Sequence, residues 1–228
     1  MKTNRRTAVW VGIFFIIGTV SGVLSEVNLG PFLEDQDYLA NIATNETKII
    51  LGALFILIMG FALTMVPVLL YPIFKKYNHA LALGAVVFRG ALEAVVYMAL
   101  AALWLMLLTL SQEFSLAGSS EIGMFQHLGA LFTKTETWLA HIVSIVFSLG
   151  ALMIYWVFYR SKLIPRWLSL WGLIGGLLYL VSPMVGMFGI DWGFLMMPLA
   201  LQEMVLALWL IIKGFDPAAF ASLSGKQV

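Results

Sequence analysis

Long apolar runs separated by short charged clusters set the pattern of this chain. Six runs stand out: Thr7 to Leu24, Ile49 to Phe74, Ala80 to Leu110, Trp138 to Tyr159, Trp167 to Ile190 and Trp192 to Ile212. At 1.5 Å of rise per residue, each can cross about 30 Å of hydrocarbon as a helix. Backbone groups in lipid must be satisfied within their own segment, and the runs lack the alternation of barrel strands. The pattern therefore predicts an all-α, polytopic membrane bundle of six transmembrane helices, forming a single domain over residues 1–228.

Composition supports this reading. The chain is 61% hydrophobic and 11% charged, where a soluble domain carries about a quarter charged residues. With six spans and their connections filling these residues, no separate soluble catalytic domain is expected within them. The absence of cysteine excludes disulfides, thiolate metal sites, iron–sulfur clusters and a cysteine nucleophile. A net charge of +1 offers no basic face for nucleic acid. No cofactor is expected, and the lipid bilayer is the one partner that composition itself implies. Lys2, Arg5 and Arg6 before the first run resemble the start of a signal peptide. That run is longer than an ordinary signal core and no small-x-small cleavage site follows it, so a retained anchor is expected.

The charges that remain orient the bundle. Lys2, Arg5 and Arg6, then Lys75 and Lys76, then Arg160, Lys162 and Arg166, and finally Lys213 and Lys226 all fall on one side of a six-span topology. They make up ten of the 13 basic residues, and the opposite connections hold only Lys48 and Lys134. The positive-inside rule then puts both termini in the cytoplasm, with a bacterial cytoplasmic (inner) membrane as the expected location. Five or seven spans would destroy this segregation. The acids Glu26, Glu34, Asp35, Asp37, Glu46, Glu113, Glu121, Glu136 and Asp191 fall on the outer side.

Two outer connections exceed the length of a turn. Asn28 to Lys48 contains Pro31 and then a short helix with Tyr38, Leu39 and Ile42 on its apolar face and Asp35, Asp37 and Glu46 exposed. Ser111 to Thr137 carries Phe125, Leu128, Leu131 and Phe132 at helical spacing. Both read as longer outer loops with short interfacial helices, either capping the bundle or forming a lid over an outward cavity. Gly18 with Gly22 and Gly172 with Gly176 form small-xxx-small pairs, which serve internal helix contacts or the face of a homo-oligomer. Pro67, Pro183 and Pro198 free carbonyls within or near spans, while Trp10, Trp138, Trp167, Trp171 and Trp192 sit at predicted membrane edges as anchors.

Three ionisable residues have no place in water: Arg89 and Glu93 in the third helix and Glu203 in the sixth. A charge at the bilayer centre costs about 2.5 to 3.5 kcal/mol even on the lenient insertion scale, so such groups face inward and pair. Arg89 and Glu93 are one helical turn apart, and all three residues reach one layer near the midplane. One arginine facing two carboxylates leaves one carboxylate short of a partner. That arrangement suits a proton relay or the docking of a cationic ligand. It also suits a plain interhelical salt bridge between the third and sixth helices. Tyr97, His141 and Gln202 are secondary candidates for the same chemistry. The runs ALEAVVYMALAALWL from Ala91 and ALQEMVLALWL from Ala200 hint at an inverted repeat of two three-helix halves.

Other chemistry is thinly supported. His79 falls in a turn on the basic side, and His127, Glu136 and His141 form at best a weak metal set, because no His-x-x-x-His pair places two ligands on one helix face. Ser144 and Ser148 follow His141 on the same face, but no nucleophile motif accompanies them.

The runs YRSKLIPRWLSLWGLIGGLLYL from Tyr159, PLALQEMVLALWLIIKGF from Pro198, LYPIFKKYNHALALG from Leu70 and FRGALEAV from Phe88 resemble the bacterial membrane family called domain of unknown function 4386. The resemblance spans roughly Thr7 to Phe215 and implies a six-span bacterial inner-membrane protein. It supplies no substrate and no catalytic residue. Three readings of function follow: a bundle that binds or transports a small molecule or ion, with a small molecule, lipid or cation as ligand; a membrane-embedded enzyme acting on a lipid or apolar substrate; and a structural or regulatory subunit without chemistry.

Overall fold

Residues 2–33, 37–118 and 120–225 are described in the computed structural model, and they form helices and short turns without a strand. In chain order these are α1 (Lys2–Leu33), α2 (Tyr38–Thr44), α3 (Glu46–Phe74) and α4 (His79–Ala85), then a π-helical stretch (Val86–Leu92) leading directly into α5 (Glu93–Leu116). After them come α6 (Ile122–Ser161), α7 (Arg166–Gly186), a 3-10 turn (Gly193–Met196), α8 (Met197–Ile212) and α9 (Pro217–Ser224). Six stretches are long and apolar enough to cross a membrane: Asn4–Gly30, Glu46–Phe74, His79–Leu116, Ile122–Ser161, Arg166–Gly186 and Gly193–Ile212. The chain is a multi-pass helical membrane bundle. Of the sequence expectations, Glu34, Asp35 and Lys226 lie outside the described residues.

Each span packs against the next in sequence, and α8 returns to α1, so the six close into a ring. Local chemistry sets where the helices start and stop. Asn78 caps α4 by accepting the Leu81 N–H at 3.0 Å, and Asp216 caps α9 through the Ala219 N–H at 2.8 Å. Lys162 ends α6 in a left-handed conformation (φ 58°), and Pro165 three residues on prevents the helix from resuming at once. Arg5 donates to the carbonyls of Leu210 (3.0 Å) and Ile212 (3.0 Å), which ties the start of α1 to the end of α8. Both terminal segments therefore lie at one end of the bundle, here called the terminal end.

The interior divides into two apolar cores. One, at the terminal end, includes Val11, Phe15, Leu70, Phe74, Phe158, Leu206 and Leu210. The other, toward the opposite end, includes Leu29, Leu39, Ile42, Ile56, Leu100, Trp104 and Leu108. The glycine pairs bring helices together within the chain: an added Cβ on Gly18 would meet Leu63 Cδ2 at 2.5 Å, and on Gly22 the Met59 Sδ at 2.8 Å. Gly172 and Gly176 face Tyr155 and Leu152 in the same way. Trp10, Trp138, Trp167 and Trp192 turn outward, as membrane anchors do.

Several boundaries differ from the sequence reading. The second outer connection is not a loop with its own helix: α5 runs to Leu116, α6 starts at Ile122, and residues 122–137 continue the fourth span without a break. Phe125, Leu128 and Phe132 keep the helical phase of that span, and no proline interrupts it. Gly129 is tolerated because it seats Tyr38 of α2. The first connection does contain the expected short helix, with Leu39 and Ile42 buried and Asp37 and Glu46 exposed, but α1 runs on to Leu33 before it. The fifth span ends at Gly186 rather than Ile190, and α9 was not foreseen.

Candidate functional site

The third span is regular until Ala85 and then widens into seven residues of π-helix, with Arg89 at their centre. Stretches of this kind shift side chains out of α-helical register and recur at functional sites. Two neighbours hold the stretch. Gly150 of α6 lies so close that a Cβ there would meet Arg89 N and Cβ at 2.6 Å each, so only glycine fits without a shift. On the other side Thr64 of α3 donates to the carbonyls of Gly60 (2.8 Å) and Gly90 (3.2 Å).

The wide turn aims Arg89 into the middle of the ring. Its Nη1 pairs with Glu93, and its Nη2 faces both oxygens of Glu203 in α8 at 3.3 and 3.4 Å. The guanidinium carbon lies 4.1 Å from the centre of the Phe147 ring, a cation–π contact that occupies one face of the arginine. Tyr155 donates to Glu203 at 3.4 Å, Tyr97 stands beside Glu93, and Tyr179 packs on Phe147 with ring centres 4.6 Å apart. Arg89 and Glu93 are each 1% exposed, whereas the Glu203 side chain keeps 11%. The pairing is uneven: Glu93 is held close, Glu203 more loosely and nearer the surface. Arg89 Nε and Glu93 Oε2 are buried without a hydrogen-bond partner, a rare condition for buried polar atoms.

A cavity of about 190 Å³ reaches this cluster. Arg89, Tyr97, Phe147, Tyr179 and Glu203 line its inner wall, and Thr19, Gly22 and Val23 of α1 with Ala200 of α8 line its mouth. The charged layer and its cavity sit between the two apolar cores.

The structure brings Arg89, Glu93 and Glu203 together and adds Tyr97 to them. Gln202 is fully buried but turns toward α7, donating to the Leu168 carbonyl at 3.0 Å. His141 is elsewhere, edge-on to Trp138 in a separate cleft of about 320 Å³ that Ser182 and Asp191 also line. Among the described residues no hydrogen bond joins His141 to Ser182 or Asp191. His127, Glu136 and His141 are not brought together: among the described residues no group of three His, Asp or Glu side chains is placed to hold a metal. Glu136 instead lies near Glu26 of α1, and Ser148 donates to the Ser144 carbonyl of its own helix. The runs from Ala91 and Ala200 differ locally, the first starting inside the π-helical stretch and the second following a 3-10 turn, yet the acid of each reaches Arg89.

Sequence reasoning missed Phe147, Gly150, Tyr155 and Tyr179. The two tyrosines carried a readable signal, since their hydroxyls fall inside spans rather than at the edges where tyrosine anchors belong. Gly150 carried none, because a lone glycine in a span has many uses.

Residues 10–214 match the protein family described as Domain of unknown function (DUF4386). No curated protein and no solved structure matches the chain.

Proposed function

The chain belongs to the family defined as domain of unknown function 4386, and on that premise we propose that it binds, and in its cycle transports, a small cation at Arg89, Glu93 and Glu203 between the third and sixth spans. The observation that carries this reading is the cavity that reaches Arg89 and Glu203 between the two apolar cores. A salt bridge that served only to join two helices would be expected to lie in a dry, filled core. With both carboxylates ionised the three residues carry a net negative charge, which favours a cation. Besides Phe147, whose ring already carries Arg89, the aromatic walls at Tyr97 and Tyr179 add ring surface against which an organic cation can rest. Glu203 is the residue that meets the ligand, Arg89 and Glu93 set the field around it, and Tyr97 and Tyr155 orient the carboxylates. The bias of basic residues toward the terminal end supports a cytoplasmic location for both termini, in a bacterial inner membrane. The enzyme reading gains nothing from the His141 cleft, where no nucleophile is joined to the histidine.

The test is equilibrium binding of tetramethylammonium to the purified protein in mild detergent. Glu203→Gln keeps the Arg89–Glu93 pair and should keep the thermal midpoint close to wild type. It should weaken tetramethylammonium binding by about tenfold or more, as removing one member of a buried charge cluster does. Equal affinity in wild type and variant would overturn the proposal.

A further inference from the structure

The direction from which the cluster is reached is written in the seam between α1 and α8. At the terminal end the seam is shut: a Cβ on Gly12 would meet the Ala207 carbonyl oxygen at 2.6 Å and Ile211 Cγ1 at 2.7 Å, and Arg5 clamps the last carbonyls of α8. Farther from the terminal end the same two helices part, and the cavity opens between them at Thr19, Val23 and Ala200. Val23 is 57% exposed on the outer face of the ring, with exposed Val20 beside it on α1 and exposed Met197 and Leu201 across on α8. At 1.5 Å per residue Val23 stands about 27 Å from Arg5, and Glu203 about 14 Å from Ile212, so the mouth lies within the depth of the hydrocarbon and beyond the charged layer.

The two routes along the ring axis are blocked. Val11, Phe15, Leu206 and Leu210 fill the interior on the terminal side of the cluster, and Leu29, Ile56, Leu100 and Trp104 fill it on the other. By exposure the lining runs from Val23 and Ala200 at the surface, past Thr19 and Met59, to buried Leu63, Glu203 and Arg89. A volume of about 190 Å³ is also small, since pockets that enclose a whole drug-sized ligand run from roughly 300 Å³ upward. It fits a head group and leaves a tail no room.

We propose that the site takes its ligand sideways from the bilayer: a membrane-dissolved amphiphile whose ammonium head enters between α1 and α8 to meet Glu203, while its alkyl tail stays in lipid. This inference rests on the cation-binding reading above and adds the ligand class and the route.

The experiment uses the full chain in phosphatidylcholine nanodiscs with dodecyltrimethylammonium carrying a diazirine in its tail, and tetramethylammonium as the same head without a tail. The expected result is photolabelling on α1 around residues 19–23 and on α8 around residues 197–201, competed by unlabelled dodecyltrimethylammonium. Ala200→Trp, which narrows the mouth from its exposed side, should cut that labelling about tenfold, whereas Leu208→Trp on the lipid face of the same helix should leave it unchanged. The wild-type labelling map needs no variant, so a poorly folded Ala200→Trp does not spare the proposal. If tetramethylammonium binds in a Glu203-dependent way but the diazirine labels other helices, or labels α1 and α8 without competition, the lateral route is overturned and the cation site stands. If neither ammonium probe binds, both fall.

Discussion

The α1–α8 seam shows two ways in which one pair of helices can meet. Toward the terminal end it is bound by a glycine pressed against a backbone carbonyl and by an arginine on the carbonyls of Leu210 and Ile212. Toward the other end it carries Val23 and Ala200, and among the described residues neither a glycine contact across the seam nor a polar clamp joins the two helices there. Lipid tails are as apolar as leucine, so helices in a membrane gain little from hiding apolar side chains and rely on close backbone approach and hydrogen bonds. Where the seam has both it is shut, and where it has neither it parts. The charged layer lies where the first condition gives way to the second.

The contrast can be broken from its closed side. Gly12→Leu forces a branched side chain against the Ala207 carbonyl and should cost about 3 kcal/mol, at the upper end of what overpacking does. Val23→Leu, which ends in the same side chain but adds a single methylene at the exposed, parted end, should change stability by less than about 0.5 kcal/mol, as exposed substitutions do. Denaturant unfolding in mixed micelles measures both, and equal losses would show that the two ends are alike. A smaller effect is expected from Arg5→Ala. It removes the clamp on the end of α8 without disturbing Gly12 and should cost about 1 kcal/mol, the net value of a modest set of hydrogen bonds. Increased hydrogen–deuterium exchange confined to the last turn of α8 would check that assignment.

Much of this architecture is readable from the chain. The apolar runs mark the six spans because the hydrocarbon imposes a length and allows no unsatisfied backbone. For the same reason Arg89, Glu93 and Glu203 stand out, since no water at that depth accounts for them. What stayed hidden depends on neighbours rather than on pattern. Residues 122–137 look like a separate interfacial helix, but nothing in them breaks the phase of the fourth span, and Phe125 finds Phe114 at the top of the third, ring centres 6.3 Å apart. The π-helical stretch depends on Gly150 and Thr64, which lie far from Arg89 in sequence. Tyr155 and Tyr179 were visible as hydroxyls out of place, yet their reach toward Glu203 and Phe147 depends on how α6, α7 and α8 meet.

The claim that matters most is that the charged layer holds a ligand rather than merely a salt bridge. Native mass spectrometry of wild type and Glu203→Gln, extracted side by side from the same membranes, tests it most directly. The account predicts an amine-bearing amphiphile retained on the wild-type chain and missing from the variant, with both chains folded. Identical spectra, whether both bare or both carrying the same adducts, would contradict it.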